Sequence, residues 1–184
     1  HGHMESVGYD MYLRLLDEAI AELKGEPPRR PVLETTVEFR VPAHIDAKYI
    51  PDENQRIDMY KSIASVESEE EAMDVRDELI DRYGDIPEET ENLIDIALIK
   101  NMAVVLGFGA VREKDDMVIL SYSSPKDIDP KIIMEITRKW NGRLLFSAGK
   151  EPYLSYRTKG QEKREVLRNI KILLQDLLKL KYTG

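Results

Sequence analysis

The hydrophobic period of this chain changes at Gly107, and that change constrains the fold more than any other feature. Between Glu53 and Gly107 apolar residues recur at spacings of three and four, which predicts helices. Beyond Gly107 they alternate. Ala110 to Lys114 and Met117 to Ser123 flank Asp115-Asp116 and predict a β-hairpin, and Arg143 to Ser147 with Tyr153 to Arg157 predict a second across Ala148 to Pro152. Asp129-Pro130 opens a short helix between them, which runs through Trp140 and stops at Asn141-Gly142. A last helix over about Gln161 to Lys181 carries Val166, Ile170, Leu173, Leu174, Leu177 and Leu178 on one face. Upstream, Val37, Phe39 and Val41 alternate with Thr36, Glu38 and Arg40, a half-buried strand closed by Pro42. Together these elements predict an α+β fold, with a small antiparallel sheet of hairpins packed with several helices.

The helical stretch is densely punctuated. Asp52 follows Pro51 as the N-cap of a helix over about Glu53 to Ser65, with Ile57, Tyr60, Lys61 and Ala64 on one side. Ser68 and Glu71 have the spacing of a capping box and start an acidic helix to Tyr83, with Gly84 as its C′ residue. Pro87 opens the next helix, where Leu93, Ile96, Ala97, Lys100, Val104 and Leu106 keep the period to Gly107. At the start of the chain, Leu13, Leu16, Ile20 and Leu23 predict a helix over Val7 to Lys24, ended by Gly25. Pro27, Pro28 and Pro31 then form a stiff linker that no helix crosses. The expected organisation is therefore a connector helix and Pro-rich linker over 1–31, and an α+β domain over 32–184. Because the chain opens at His1 without an initiator Met, it reads as a piece of something longer. His1 to Met4 are either native residues or the remnant of a tag.

At 42% hydrophobic residues, the 184-residue chain has enough apolar content for a true core. With no cysteine, disulfides, thiolate metal sites and cysteine nucleophiles are excluded. No apolar run approaches the ~18 residues of a membrane span and no signal peptide opens the chain, so a cytoplasmic location is expected. The phosphate-binding loop G-x-x-x-x-G-K-[ST] is missing. Gly107-Phe108-Gly109 begins like a dinucleotide fingerprint. Arg112 replaces the third glycine, however, and the segment leaves a helix to enter a strand, so a helix cap and turn is the expected role. His1, His3 and His44 are too few and too scattered to predict a metal site, and His44 is expected in a polar turn. Trp140 and the nine tyrosines show no basic-aromatic interleaving of the kind that stacks on bases. No catalytic, cofactor-binding or metal-binding residue is expected.

Charge is distributed unevenly. Thirteen acids lie between Glu67 and Asp95 against Arg76 and Arg82, a net of −11 in a chain whose total is −8. An acidic chain is a poor general nucleic-acid binder and a better match for a basic protein surface. On the acidic helix Ala72, Val75, Leu79 and Tyr83 share one stripe, expected to face the core. Glu78, Asp81 and Arg82 lie on the other side at i, i+3 and i+4, as one exposed patch. Two readings are open for it, a solvated face or a docking site for an arginine-rich surface. The last helix has the opposite sign. Lys159 to Lys181 hold seven bases against Glu162, Glu165 and Asp176, which suits either a solvated face or phosphate contacts.

Three segments carry a family resemblance, namely ESVGYDMYLRLLDEAIAELKG, YIPDENQRIDMYKSIAS and ELIDRYGDIPEETENLIDIALIK. In this order, and over essentially the whole chain, the sequence resembles the end of the bacterial transcription-repair coupling factors, the Mfd family. Ala110 to Arg157 match only in pattern, and Ser62 stands where relatives often carry a basic residue. The resemblance implies a parent that is an ATP-driven translocase on double-stranded DNA. Such a parent displaces stalled RNA polymerase and recruits UvrA for nucleotide-excision repair, and its ATP and Mg sites lie in motor modules outside this segment. It implies that 32–184 form a regulatory, non-enzymatic domain that docks on an N-terminal UvrB-like module of the same chain, masking the UvrA-binding surface and restraining the motor. The family contact runs through the helix matching Asp74 to Tyr83, on the positions that are Glu78, Asp81 and Arg82 here. The alternative is a nucleic-acid-binding module on the basic C-terminal helix.

Overall fold

A computed structural model describes residues 35–183. The connector helix and linker expected at 1–31 lie outside the described residues. The rest divides into two compact units, Arg40–Leu98 on one hand and Thr35–Phe39 with the chain from Ile99 onward on the other.

The first unit is helical. Helix α1 spans Glu53–Ala64, α2 spans Glu69–Tyr83, and α3, Glu88–Leu106, begins here and continues into the second unit. Their starts are set by the expected caps. Asp52 Oδ1 accepts the Gln55 N–H at 2.9 Å, and Ser68 Oγ accepts the Glu71 N–H at 3.2 Å. The Glu71 carboxylate returns the bond to the Glu67 N–H at 2.7 Å, one residue earlier than in the usual box. Gly84 ends α2 at φ +85°, a conformation that costs a side-chain-bearing residue. The core takes Met59 and Ile63 from α1, Ala72 and Leu79 from α2, and Leu93, Ile94 and Ala97 from α3.

Two predicted stripes are displaced. On α1 the buried pair is Met59 and Ile63, while Ile57, Tyr60, Lys61 and Ala64 are only half-buried. Tyr60 sits at the margin because its hydroxyl accepts the Ile45 N–H at 2.8 Å, a bond that anchors the preceding loop. On α3, residues 92–99 are buried on every side of the helix, whereas Val104 is 53% exposed. A one-sided stripe therefore does not describe this helix.

The second unit holds a five-stranded sheet in the order β1-β2-β3-β5-β4, with β1 Thr36–Glu38, β2 Phe108–Lys114, β3 Met117–Tyr122, β4 Leu144–Ser147 and β5 Tyr153–Arg157. Both expected hairpins form, and Asp115 takes the positive φ of 54° that the first turn requires. The fold is α+β, as expected. The first strand is shorter than its alternation predicts and pairs with β2 in parallel, Val37 opposite Val111. A parallel pair needs a long crossover, and residues 39–107 supply it. Register aligns Val37, Val111, Leu120, Leu154 and Phe146 in one row across all five strands, and the first four are buried. Helix α4, Pro130–Lys139, packs against β4 and against α5, Lys163–Thr183. The buried face of α5 comprises Val166, Leu167, Ile170, Leu173, Leu174, Asp176 and Leu177. Gly107 ends α3 at φ +83°, where an added Cβ would meet the Asp127 side chain at 2.5 Å. This glycine is a helix terminus in close approach, not part of a nucleotide loop.

Candidate functional site

Helix α2 presents the patch. Its inner face is as the sequence predicts at Ala72 and Leu79, both fully buried, with Val75 and Tyr83 half-buried beside them. Arg76 joins that inner edge. Its Nε donates to Glu91 Oε2 at 2.9 Å and its NH2 to Asp95 Oδ1 at 3.1 Å, both on α3. One of the two basic residues of the acidic stretch is thus committed to holding α2 on α3. The far end of α2 is held by tyrosines. Tyr49 Oη donates to the Gly84 carbonyl at 2.9 Å, Tyr83 Oη donates to Gln55 Oε1 at 3.1 Å, and the two rings meet edge to face. Burial, and then the negative charges of Asp85 and Glu91 and the neighbouring Tyr83, push the Tyr49 hydroxyl above the ordinary tyrosine range, so it is a fixed donor at neutral pH.

Glu78, Asp81 and Arg82 are brought together on the opposite side, all exposed. Arg82 donates to Glu78 Oε1 at 3.1 Å across one turn, and its guanidinium lies 5.0 Å from the centre of the Tyr83 ring. This pair stays half in water. Asp81 is exposed and has no ion-pair partner among the described residues. The arrangement can accept a guanidinium at Asp81 and exchange the Glu78–Arg82 pair for intermolecular partners at little cost, since exposed ion pairs contribute little on their own.

Two side-chain groups went unnoticed in the sequence. His44, Asp46 and Glu89 place one nitrogen and two carboxylate donors within 4.8 Å of one another, all half-buried. Backbone register causes this, because the His44 N–H donates to the Glu89 carbonyl at 3.2 Å and the Thr90 hydroxyl to the His44 carbonyl at 3.0 Å. Asp46 Oδ1 already accepts the Lys48 N–H at 2.8 Å, so the turn role expected of this segment is filled. Asp176 is the other, buried on the apolar face of α5 and satisfied by Trp140 Nε1 at 3.1 Å and Lys139 Nζ at 2.9 Å. The half-buried Trp140 ring lies edge-on to the buried Tyr156, so it packs at the margin of the core.

The basic C-terminal helix is partly spent on the molecule itself. Lys181 Nζ donates to the Val105 carbonyl at 2.8 Å, and Arg164 and Lys171 also have partners, whereas Lys163, Arg168 and Lys179 are exposed. No helix among the described residues is long and apolar enough to cross a membrane.

Residues 39–133 match the model of the TRCF domain. The chain belongs to that family. It is 34% identical over 184 residues to the transcription-repair-coupling factor of Bacillus subtilis, an alignment that covers 98% of the chain and 16% of that protein. It is 39% identical over 143 residues to the transcription-repair-coupling factor of Staphylococcus epidermidis, covering 75% of the chain and 12% of the relative. The TRCF chain therefore spans under a fifth of the length of these curated relatives. Among solved structures it is similar to the C-terminal domain of a transcription-repair coupling factor, with a TM-score of 0.75 at 20% identity. That alignment covers 82% of this chain and 96% of the other, a likeness of fold.

Proposed function

We propose that this chain is the C-terminal regulatory domain of a cytoplasmic transcription-repair coupling factor, acting by docking and without catalysis of its own. Its partner is the N-terminal UvrB-like module of the same longer protein. In the docked state the domain masks the UvrA-binding surface and restrains the ATP-driven motor that moves on double-stranded DNA and displaces RNA polymerase. The observation that carries this reading is the outward face of α2, where Asp81 stands beside the Glu78–Arg82 pair, within a unit of strongly negative charge. Docking through such a face is releasable, because its ion pairs are as well solvated apart as together.

The test is charge reversal in the full-length protein. Glu78→Arg with Asp81→Arg is expected to raise both UvrA binding and basal ATPase, since two attractive contacts become repulsive. Wild-type values for both, with an unchanged circular dichroism spectrum, would show that this patch is not the docking site. A second reading, a nucleic-acid-binding module, draws on the exposed Lys163, Arg168 and Lys179 of α5.

A further inference from the structure

Among the described residues of the helical unit, two large apolar side chains are exposed, and both are on α2. Met73 is 59% exposed and Ile80 is 48% exposed. Seven residues apart on one helix, they point in directions within about 20° of each other and stand roughly 10 Å apart along the axis. Every other large apolar side chain of that unit is at least half-buried, so this pair is a departure from how the unit otherwise treats such groups.

Their surroundings are acidic. Glu70, Asp74, Asp77 and Asp81 follow one another at i, i+4, i+7 and i+11, all exposed, and none has an ion-pair partner among the described residues. On the helical wheel this acidic ridge runs down the middle of the outward half of α2. Met73 and Ile80 line one flank, and Glu78 with Arg82 line the other. An apolar pair at i and i+7 beside a ridge of like charge has the form of a helix that lies in a groove.

We infer that Met73 and Ile80 anchor α2 in a groove of the docking partner, one wall of which holds two apolar sockets about 10 Å apart and whose floor is basic. This inference rests on the docking reading above and adds what that reading lacks, an apolar component that fixes the register of the helix. Charge alone leaves α2 free to slide by a turn along a basic surface, because its carboxylates repeat nearly every turn. Two apolar anchors at a single spacing permit one register. The occupant is a part of the longer polypeptide outside this chain. Unpaired carboxylates select a basic surface over a second copy of α2, which would set like charges against each other, and most of the length of the curated relatives lies outside the region matched here.

Met73 itself reports on the contact, since methionine oxidation follows exposure. Peroxide footprinting with mass spectrometry is read on the 184-residue chain and on the full-length protein, with the buried Met59, 1% exposed, as the control for folding. Met73 is expected to oxidise at least about tenfold more slowly in the full-length protein than in the isolated chain. Ile80→Ser and the Glu78→Arg, Asp81→Arg double variant should each restore the fast rate. Equal rates in the two proteins, while charge reversal still raises UvrA binding, would overturn the apolar anchor and leave docking standing. Protection of Met73 in the isolated chain that grows with its concentration would also overturn it, since the face would then belong to a second copy. Protection that Ile80→Ser removes but charge reversal leaves untouched would support the anchor and count against the charged patch.

Discussion

Arg76 and Arg82 are the two bases of the most acidic stretch, six residues apart on one helix, and their environments make them do opposite things. Arg76 is 21% exposed and bonded to Glu91 and to Asp95, whose side chain is 7% exposed. Removing the guanidinium takes from the buried Asp95 carboxylate its ion pair with Arg76, and weakening a buried pair from one side is costly. Arg76→Ala is therefore expected to lower the unfolding free energy by about 3 kcal/mol, read from urea denaturation at neutral pH. Asp95→Asn in the same chain should recover much of that loss. Arg82, 45% exposed against Glu78, should change stability by less than about 0.5 kcal/mol on replacement by Ala, because water replaces the pair. A loss at Arg82 as large as that at Arg76 would contradict this division. The difference was partly visible in the sequence, since position 76 borders the stripe of Ala72, Leu79 and Tyr83. That it reaches two acids on α3 depends on how the helices pair, which no local pattern states. Asp176 is a similar case, a carboxylate on an apolar face whose partner Trp140 comes from 36 residues upstream.

At the level of the element, α2 is a helix whose ends are set locally and whose faces are set by its neighbours. Ser68 is its first hold, and replacing a serine N-cap by alanine typically costs about 1 kcal/mol. Ser68→Ala is expected to lower the unfolding free energy read from urea denaturation by that amount, while Ser68→Asp keeps the acceptor and should stay near wild type. If the two variants lost stability equally, the cap would owe its effect to something other than the Glu71 N–H bond. Elements governed by such local chemistry were legible in advance. The caps at Asp52 and Ser68, the glycine stop at Gly84, the Asp115-Asp116 turn and both hairpins all depend on residues within a few positions of one another. Elements governed by distant pairing were not. Nothing within Thr36 to Val41 announces that the strand ends at Glu38 or runs parallel to β2, because the partner strand is some seventy residues away. The stripe chosen on α1 failed for a related reason. Tyr60 and Lys61 shared a side with Ile57, but the deeper positions went to Met59 and Ile63 once the Tyr60 hydroxyl was needed by the Ile45 amide.

For the molecule as a whole, charge divides along the same line as the fold. Residues 40–98 carry six bases and seventeen acids, whereas 35–39 with 99–184 carry seventeen bases and eleven acids, net charges of −11 and +6. A net positive unit invites the nucleic-acid reading, and the side chains limit how far it goes. Arg143 is bonded to the Arg157 and Lys159 carbonyls, Lys139 to Asp176 and Lys181 to the Val105 carbonyl, which removes them from a common basic surface. On α5 and the turn before it, the exposed bases with no partner of this kind are Lys159, Lys163, Arg168 and Lys179. Each phosphate neutralised contributes about 0.9 to the slope of log affinity against log salt. Four contacts therefore give a slope of no more than about 4 and binding that disappears by roughly 150 mM salt, with −11 elsewhere in the chain adding repulsion. Titration of the 184-residue chain with duplex DNA across a salt series checks this. A slope steeper than about 6, or retention at physiological salt, would mean that the basic unit forms a nucleic-acid surface that extends beyond the four exposed bases of α5 and the turn before it. A shallow slope leaves the acidic helix as the part of the molecule built to meet a partner. Its carboxylates would then be matched by a basic protein surface rather than by phosphate, and the bases of α5 would serve mainly to keep its outer face in water.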